Sequence, residues 1–479
     1  MNAPDLPAIP EVTSSGGVAS LALVGRLDDT GRPAFFWQGR EIAPTIRVRP
    51  GDTIRVRYEN DLPQTCGFGM ASDSNLHFHG LSVAPSAPGD DVLATTVRPG
   101  KSFDYVVRVD REQPPGLYWY HPHPHGLTNW EIGNGMAGTI VVEGIADVVP
   151  RIAGLRERII VLRDVPHDPS LAAALAPDAK RAPIAASFSS RDQDDQYAAP
   201  CGVEMTSQTT INGVPAATLG IRPGERQLWR VLNASGHRHF DLQVPGVPMQ
   251  LVARDGVPLA YYPGARSAEQ RWHLVIPPGG RAEFVITGPQ HPQMLYSLCY
   301  DTGPSGDENP GAILGELDDD HGSGPAVRVA APIGLTAQPY RAAPPHPAVT
   351  RTVRFSEDAR RFYVNGVAYR PGQRPLFTAR SGTTELWTIE NASLEVHVFH
   401  LHQVHFVVES ANGKVNRDPH WVDIADVPPG IIDRRGHIRP SRITVLVDFR
   451  DPAVRGTFPF HCHMADHEDN GMMATIRVI

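Results

Sequence analysis

Residues 458–473 read FPFHCHMADHEDNGMM, which places three histidines, three methionines and one cysteine within sixteen positions. Zinc sites usually separate their ligands by two or more residues, because a single tetrahedral ion must collect them all. Adjacent residues of a strand point to opposite faces, so His461-Cys462-His463 addresses more than one metal. Three other clusters are NLHFHG (75–80), YWYHPHPHG (118–126) and EVHVFHLHQVHF (395–406). Across the four clusters, His77/His79, His121/His123, His400/His402 and His461/His463 are spaced i,i+2, so on a strand each pair faces one way. Eight imidazoles exceed what one copper or zinc ion takes, and they suit a compact cluster of several metals held between two domains. Cys462 points away from that cluster and needs partners on the other face, for which His397, His467 and Met472 are the candidates. A thiolate, two imidazoles and a distant thioether form the ligand set of an electron-transfer copper, and soft sulfur excludes magnesium, calcium and manganese. The tripeptide therefore connects a one-electron site to a multi-electron site.

Such ligands need rigid strands to hold them. Short runs of Val, Thr, Ile and aromatic residues punctuated by Gly and Pro predict a nearly all-β chain. One phrase recurs three times: WQGREIAPTIRVRPGDTIRVRYENDLP (37–63), INGVPAATLGIRPGERQLWRVLNAS (211–235) and VNGVAYRPGQRPLFTARSGTTELWTIENAS (364–393). Each copy ends a strand on Asn, and each has a later alternating partner at 97–109, 275–287 and 437–449. Alternation after a turn is the pattern of a sheet with one buried face, so the expectation is three related β-sandwich domains at 1–148, 155–330 and 345–479. Acidic GELDDDHGSGPAV (315–327) and proline-rich 331–349 read as the second linker. DPSLAAALAPDAKRA (168–182) is a short helix in this reading, capped by Asp168 and ended by Pro177.

Composition narrows the function. With 479 residues, 41% hydrophobic content and 20% charge, the chain is a soluble globular type with two to four domains. A formal charge of −8 and no Lys/Arg run interleaved with aromatics argue against nucleic-acid binding, and no apolar run of eighteen residues spans a membrane. The opening MNAPDLPAIPEVTSSGG has no secretory pattern, so the expectation is a cytoplasmic protein or one whose leader is absent. Cys66, Cys201, Cys299 and Cys462 are too few for a disulfide scaffold; a Cys201–Cys299 bridge and buried free thiols both stand as readings.

On HFHG, YHPH, HVFHLH and HCHMADHEDNGMM, together with the threefold repeat, the chain resembles the three-domain, laccase-like multicopper oxidases. The resemblance covers nearly its whole length. It implies three cupredoxin-like Greek-key β-sandwiches and four copper ions: one type 1, one type 2 and two type 3. It places type 1 copper on His397, Cys462 and His467 with Met472 axial, and type 2 copper on His77 and His400. The type 3 pair falls to His79, His121, His123, His402, His461 and His463. Val398 stands where the family often has Pro, a departure expected to matter little. The ring edge of His467 is expected near solvent, as the point of electron entry, and an axial Met lowers the potential relative to Leu or Phe. The resemblance further implies that Asp90 and Glu468 deliver protons for the reduction of dioxygen to water. Small aromatic reductants (phenols, aminophenols and aromatic amines) are the expected donors, a monomer the favoured state, and a periplasmic or secreted location the implied one.

Eleven histidines lie outside this set. His125 reads as structural or as a neighbour of the ligands, His405 as a packed polar residue, and the His237/His239 pair as structural or interfacial. Asp418, Asp423 and Asp426 are placed near the type 1 site, either orienting substrate or solvating a turn. Scattered methionines make a cuprous-ion oxidase the second reading, and a copper-sequestering or structural cupredoxin the reading from another class.

Overall fold

The computed structural model describes residues 4–67, 69–166, 207–307, 309–319, 327–335 and 346–479. Strand alternation is visible at once: Val18–Leu27 buries Ala19, Leu21 and Leu23 while Ser20 and Ala22 face solvent. Among the described residues six principal sheets result, two for each sequence repeat, and three large hydrophobic cores fill the spaces between them.

The second and third sandwiches are built to one plan. In the second, Ser207–Ile211, Arg156–Pro166, Arg226–Asn233, Arg281–Thr287, Met249–Arg254 and Val257–Pro258 lie in that spatial order, with Glu269–Arg271 added beside Met249–Arg254. In the third, Phe362–Val364, Val349–Glu357, Thr384–Asn391, Ser441–Asp448, Phe406–Ala411 and Lys414–Val415 repeat it, with Trp421–Val422 as the addition. Opposite the latter lies the sheet Phe377–Ala379, Met473–Val478, Gly456–Cys462, His397–Leu401 and Ile424–Val427, which carries two of the histidine clusters. The other two clusters share one sheet of the first sandwich, where His77–His79 pairs antiparallel with Gly116–His121.

The asparagine that ends each repeat has one job three times. Its side-chain amide donates to the loop that follows and to a second, distant backbone carbonyl, and its carbonyl oxygen accepts a backbone N–H two residues on. Asn60 reaches Ser72 O at 2.8 Å and Val97 O at 2.7 Å. Asn233 reaches Arg238 O at 2.7 Å and Ile276 O at 2.8 Å, and Asn391 reaches Glu395 O at 2.7 Å and Val427 O at 3.1 Å. All three are fully buried, so these bonds have no water to replace them. In the third sandwich the stitched loop leads straight into His397.

Buried charges join the sandwiches. Arg47 of the first binds Glu143 at 2.7 Å and reaches Glu157 of the second at 3.2 Å, and Arg230 then bonds both Glu157 and Glu283. Arg281 of the second sandwich donates to Leu117 O of the first and, through two nitrogens at 2.8 and 2.6 Å, to both oxygens of Asp423 in the third.

Two sequence expectations change. The stretch read as the start of the second linker, from 315 onward, is strand as far as Asp318, because Ala312–Asp318 pairs parallel with Ala217–Gly220. A helix at Thr128–Asn134 was not foreseen; Asp469 of the third sandwich accepts the N–H groups of Gly126, Thr128 and Asn129 at its start. The helix read at 168–182 and Cys201 lie outside the described residues. Cys299 is disulfide-bonded, whereas Cys66 and Cys462 are free.

Replacing Asn233 by Ala removes both bonds of its amide and the acceptor of the Ser235 N–H, leaving Arg238 O only the Ser235 hydroxyl. We expect a loss of about 2–4 kcal/mol, read as a lower guanidinium midpoint; an unchanged midpoint would show that the stitch does not order the loop.

Candidate metal centre

Strand pairing explains how one tripeptide faces two sites. His400 lies opposite His461 in register, and Phe399 opposite Cys462. His461 and His463 point to the first sandwich, while Cys462 between them points into the core of the third. On the next strand Met473 is the register partner of His461. Met472 therefore falls on the cysteine's side; its carbonyl accepts the Cys462 N–H, and its side chain is fully buried in the same core cluster.

Around Cys462, His397 Nδ1 lies 3.7 Å and His467 Nδ1 3.6 Å from Sγ, with 3.2 Å between the two nitrogens. The other nitrogen of each ring is occupied. His397 Nε2 meets Ser393 Oγ at 2.9 Å, and His467 Nε2 meets Glu395 Oε1 at 3.2 Å. Each ring thus gives its N–H outward and turns its lone pair toward the sulfur. Burial pushes the Cys462 thiol well above its ordinary range, so a bound cation is what makes the thiolate.

Between the first and third sandwiches, eight histidines interleave. His77 stacks on His402 at 3.9 Å and His79 on His400 at 4.1 Å, each pair contributed by both sandwiches. The Nδ1 atoms are anchored at the periphery: His77 to Asp90 at 2.9 Å, His121 to Pro122 O at 2.8 Å, His400 to Asp423 O at 2.7 Å and His461 to Cys462 O at 2.9 Å. That leaves Nε2 lone pairs converging. His123 and His402 bring theirs to 3.2 and 3.1 Å from that of His461. His121 Nε2 faces His79 Nδ1 at 3.5 Å, and His463 belongs to this group. His77 Nε2 and His400 Nε2 are buried without a hydrogen-bond partner, as are both nitrogens of His463.

Burial, reinforced by the neighbouring imidazoles, holds His79, His121, His123, His400, His402 and His461 well below the ordinary histidine range. His463 is pushed down to about 3, again chiefly by burial. Neutral buried rings whose bare nitrogens face each other are unfavourable unless something positive sits among them. The donor set therefore fits metal ions in three groups (His79, His121, His463; His123, His402, His461; and His77 with His400) besides the cysteine site. All nitrogen and sulfur, it suits copper.

The structure brings every sequence-identified histidine of the set to one of these places. It also revises three readings. His467 is only 3% exposed; Phe362 stacks on it at 4.0 Å, and Glu395 covers its outer nitrogen, so no ring edge lies open. Burial first, then Glu357, Asp466 and Asp307, push Glu395 up to about 10. Val398 matters, because its N–H donates to Cys462 Sγ at 3.3 Å, a bond that proline has no hydrogen to make. Asp423 is no substrate-orienting surface group: it is 1% exposed, and its carboxylate lies 3.4 Å from His79 Nε2.

Asp90 and Glu468 lie against the ligands. Asp90 accepts from His77 Nδ1 and the Phe78 N–H, and Gln403 of the third sandwich donates to it. Glu468 spans two rings, with Oε1 3.4 Å from His123 Nδ1 and Oε2 3.3 Å from His461 Nδ1. Four of the remaining histidines make structural contacts. His239 contacts Asp426 at 3.0 Å across the interface and stacks on Tyr300, His237 pairs with Asp164 at 3.2 Å, and His125 packs edge-on against Tyr369. His405 Nε2 contacts Asp255 O at 3.3 Å.

Sequence reasoning missed Arg281, Gln403, Ser393 and Gly279. Only Gly279 left a local signal, in PPGG: its φ is +77°, and a Cβ there would lie 2.6 Å from the His463 ring. The second sandwich can close over that ring only with a residue that has no side chain.

Models of the multicopper oxidase family match residues 24–147, 181–315 and 342–479. A multicopper oxidase of Staphylococcus haemolyticus is 24% identical over 452 residues, covering 92% of this chain and 83% of that relative. A laccase of Haloferax volcanii is 26% identical over 496 residues, covering 91% and 76%. Among solved structures, a Campylobacter jejuni multicopper oxidase described as a metallo-oxidase superposes with a TM-score of 0.72 at 19% identity, over 100% of this chain and 96% of that one. The three matches follow the order of the three cupredoxin-like sandwiches, and the first and last enclose every converging histidine, so the chain belongs to the multicopper oxidase family, copper-dependent enzymes that use dioxygen as oxidant.

Proposed function

We propose that this protein is a laccase-type oxidase that takes electrons singly from phenols and aromatic amines and reduces dioxygen to two waters. The observation that carries this reading is the pair of sites back to back on His461-Cys462-His463, one with a sulfur donor and one without. His397, Cys462 and His467 with Met472 would hold type 1 copper, and His77 and His400 type 2. His79, His121 and His463, and His123, His402 and His461, would hold the type 3 pair. When bound, these coppers supply reversible one-electron chemistry and the four-electron reduction of dioxygen.

The chain's own groups do the rest. Asp90 and the Asp423 carbonyl hold His77 and His400 in the tautomer that turns Nε2 inward. Burial pushes the Glu468 carboxyl well above the usual range, so it holds a proton beside His123 and His461, while Asp90, also 1% exposed, accepts from His77 where water is excluded. Val398 donates to Cys462 Sγ and draws charge from the sulfur, which favours the electron-rich reduced state. A second reading, oxidation of a metal cation, is favoured by Glu395 and Asp466 beside His467 and Glu357 beside His397. Comparing kcat/KM for phenols against cuprous and ferrous ions decides between the two.

Copper-loaded protein should bind close to four coppers, show the blue thiolate-to-copper band and consume dioxygen with a phenolic donor. Cys462→Ser should lose the band and the turnover while keeping the other three ions; stoichiometric copper without turnover in the parent would favour sequestration. Val398→Pro should lower the type 1 potential by about 59 mV, a tenfold change in the one-electron equilibrium, followed by redox titration of the blue band. No shift would mean that this bond does not tune the site. Asp90→Asn should slow reoxidation by dioxygen and leave type 1 reduction intact in stopped-flow traces. Loss of type 2 copper instead would confine Asp90 to positioning His77.

A further inference from the structure

Residues 430–439, GIIDRRGHIR, form a ribbon that belongs to neither sheet of the third sandwich: Ile431–Ile432 pairs antiparallel with Ile438–Arg439 and, among the described residues, with no other strand. Its turn is tied down by Asp433, whose carboxylate accepts the N–H groups of Arg435 and His437. The ribbon is therefore a preformed projection. Ile431, Ile432 and Ile438 are 59%, 53% and 41% exposed, and Arg434, Arg435 and Arg439 are exposed beside them. Three arginines against one aspartate make a local excess of positive charge on a chain whose net charge is −8. Exposed aliphatic residues interleaved with cations, on a structured tip, need an occupant that is apolar and anionic together.

The alternatives fit less well. A second copy of the ribbon would bring arginine against arginine. An aromatic polyanion would stack on large aromatic side chains, and the ribbon has no Phe, Tyr or Trp, only the single imidazole of His437. A bilayer with anionic headgroups meets both demands: isoleucines enter the headgroup–acyl boundary, and guanidinium groups pair with phosphates.

The root of the ribbon touches the electron-accepting site. Gly430 N–H donates to Ser393 O at 2.8 Å, and the Ser393 hydroxyl meets Nε2 of His397 at 2.9 Å. We propose that this ribbon docks the protein on anionic membrane surfaces and so presents the His397–Cys462–His467 site to hydroquinone-class reductants dissolved there. The substrate part rests on the oxidase reading above; the docking part does not. The chemistry balances: two hydroquinones lose four electrons and four protons to become two quinones, and one dioxygen takes them to form two waters.

The test is cosedimentation of the copper-loaded full-length protein with vesicles of phosphatidylcholine alone or mixed with phosphatidylglycerol. Partition should be about tenfold or more stronger on the anionic vesicles and fall with salt. It should drop by about tenfold or more in the triple variants I431S/I432S/I438S and R434Q/R435Q/R439Q. The blue band and turnover of a water-soluble phenol should stay at the parent level in both, which shows that they fold. Equal partition on the two vesicle types, or variants that bind like the parent, would overturn the proposal. So would retention by poly(styrene sulfonate) with none on vesicles, which would assign the ribbon to a soluble polyanion. Vesicle binding without phenol turnover would sink the oxidase reading and leave the docking intact.

Discussion

The histidine cluster depends on a buried ion pair that is not itself among the histidines. Arg281 and Asp423 meet through two charge-assisted hydrogen bonds at 2.8 and 2.6 Å where the three sandwiches come together. Asp423 then turns two features toward the cluster, its carboxylate to His79 and its backbone carbonyl to His400. Removing either partner would leave an uncompensated charge in a water-excluded place, a far greater penalty than the pair's own net contribution. Gly80 records how tight the packing is: a Cβ there would lie 2.6 Å from both Arg281 and Asp423. The sandwiches cannot drift apart without exposing this pair, so the spacing of the imidazoles is set by electrostatics one layer behind them.

The sulfur site follows a different logic. Its three donors come from one sandwich and converge within 3.7 Å. Backbone supplies one of its tuning contacts, through Val398. The approach from outside is guarded by Phe362 and by carboxyl groups, of which Glu395 is held protonated by burial first and by its acidic neighbours second. A donor therefore meets a covered, weakly polar threshold rather than a bare imidazole edge.

Much of this was legible in the chain, and the limits have physical causes. Period-two spacing of His and Cys is a geometric statement about strand faces, so the partition of His461, Cys462 and His463 between two sites followed from the sequence alone. The recurring Asn marked the repeat because each copy meets the same unsatisfied carbonyls. Arg281 and Asp423 left no such trace: 142 positions separate them, and a buried Asp looks like a turn Asp until its partner is known. The role of Val398 is invisible to a pattern of side-chain ligands, because it lies in a backbone N–H that any residue but proline carries. The covering of His467 by Phe362 and Glu395 is a long-range packing outcome that local patterns do not encode.

The middle sandwich repeats the plan of the third down to its added edge strand, yet its paired histidines contact the carboxyl groups of Asp164 and Asp426. It is no idle copy. By pressing Gly279 over His463 and Arg281 onto Asp423, it acts as a gasket that keeps bulk water off a reactive chamber formed by its neighbours. A shortened chain that joined the outer sandwiches directly would keep every imidazole and still leak.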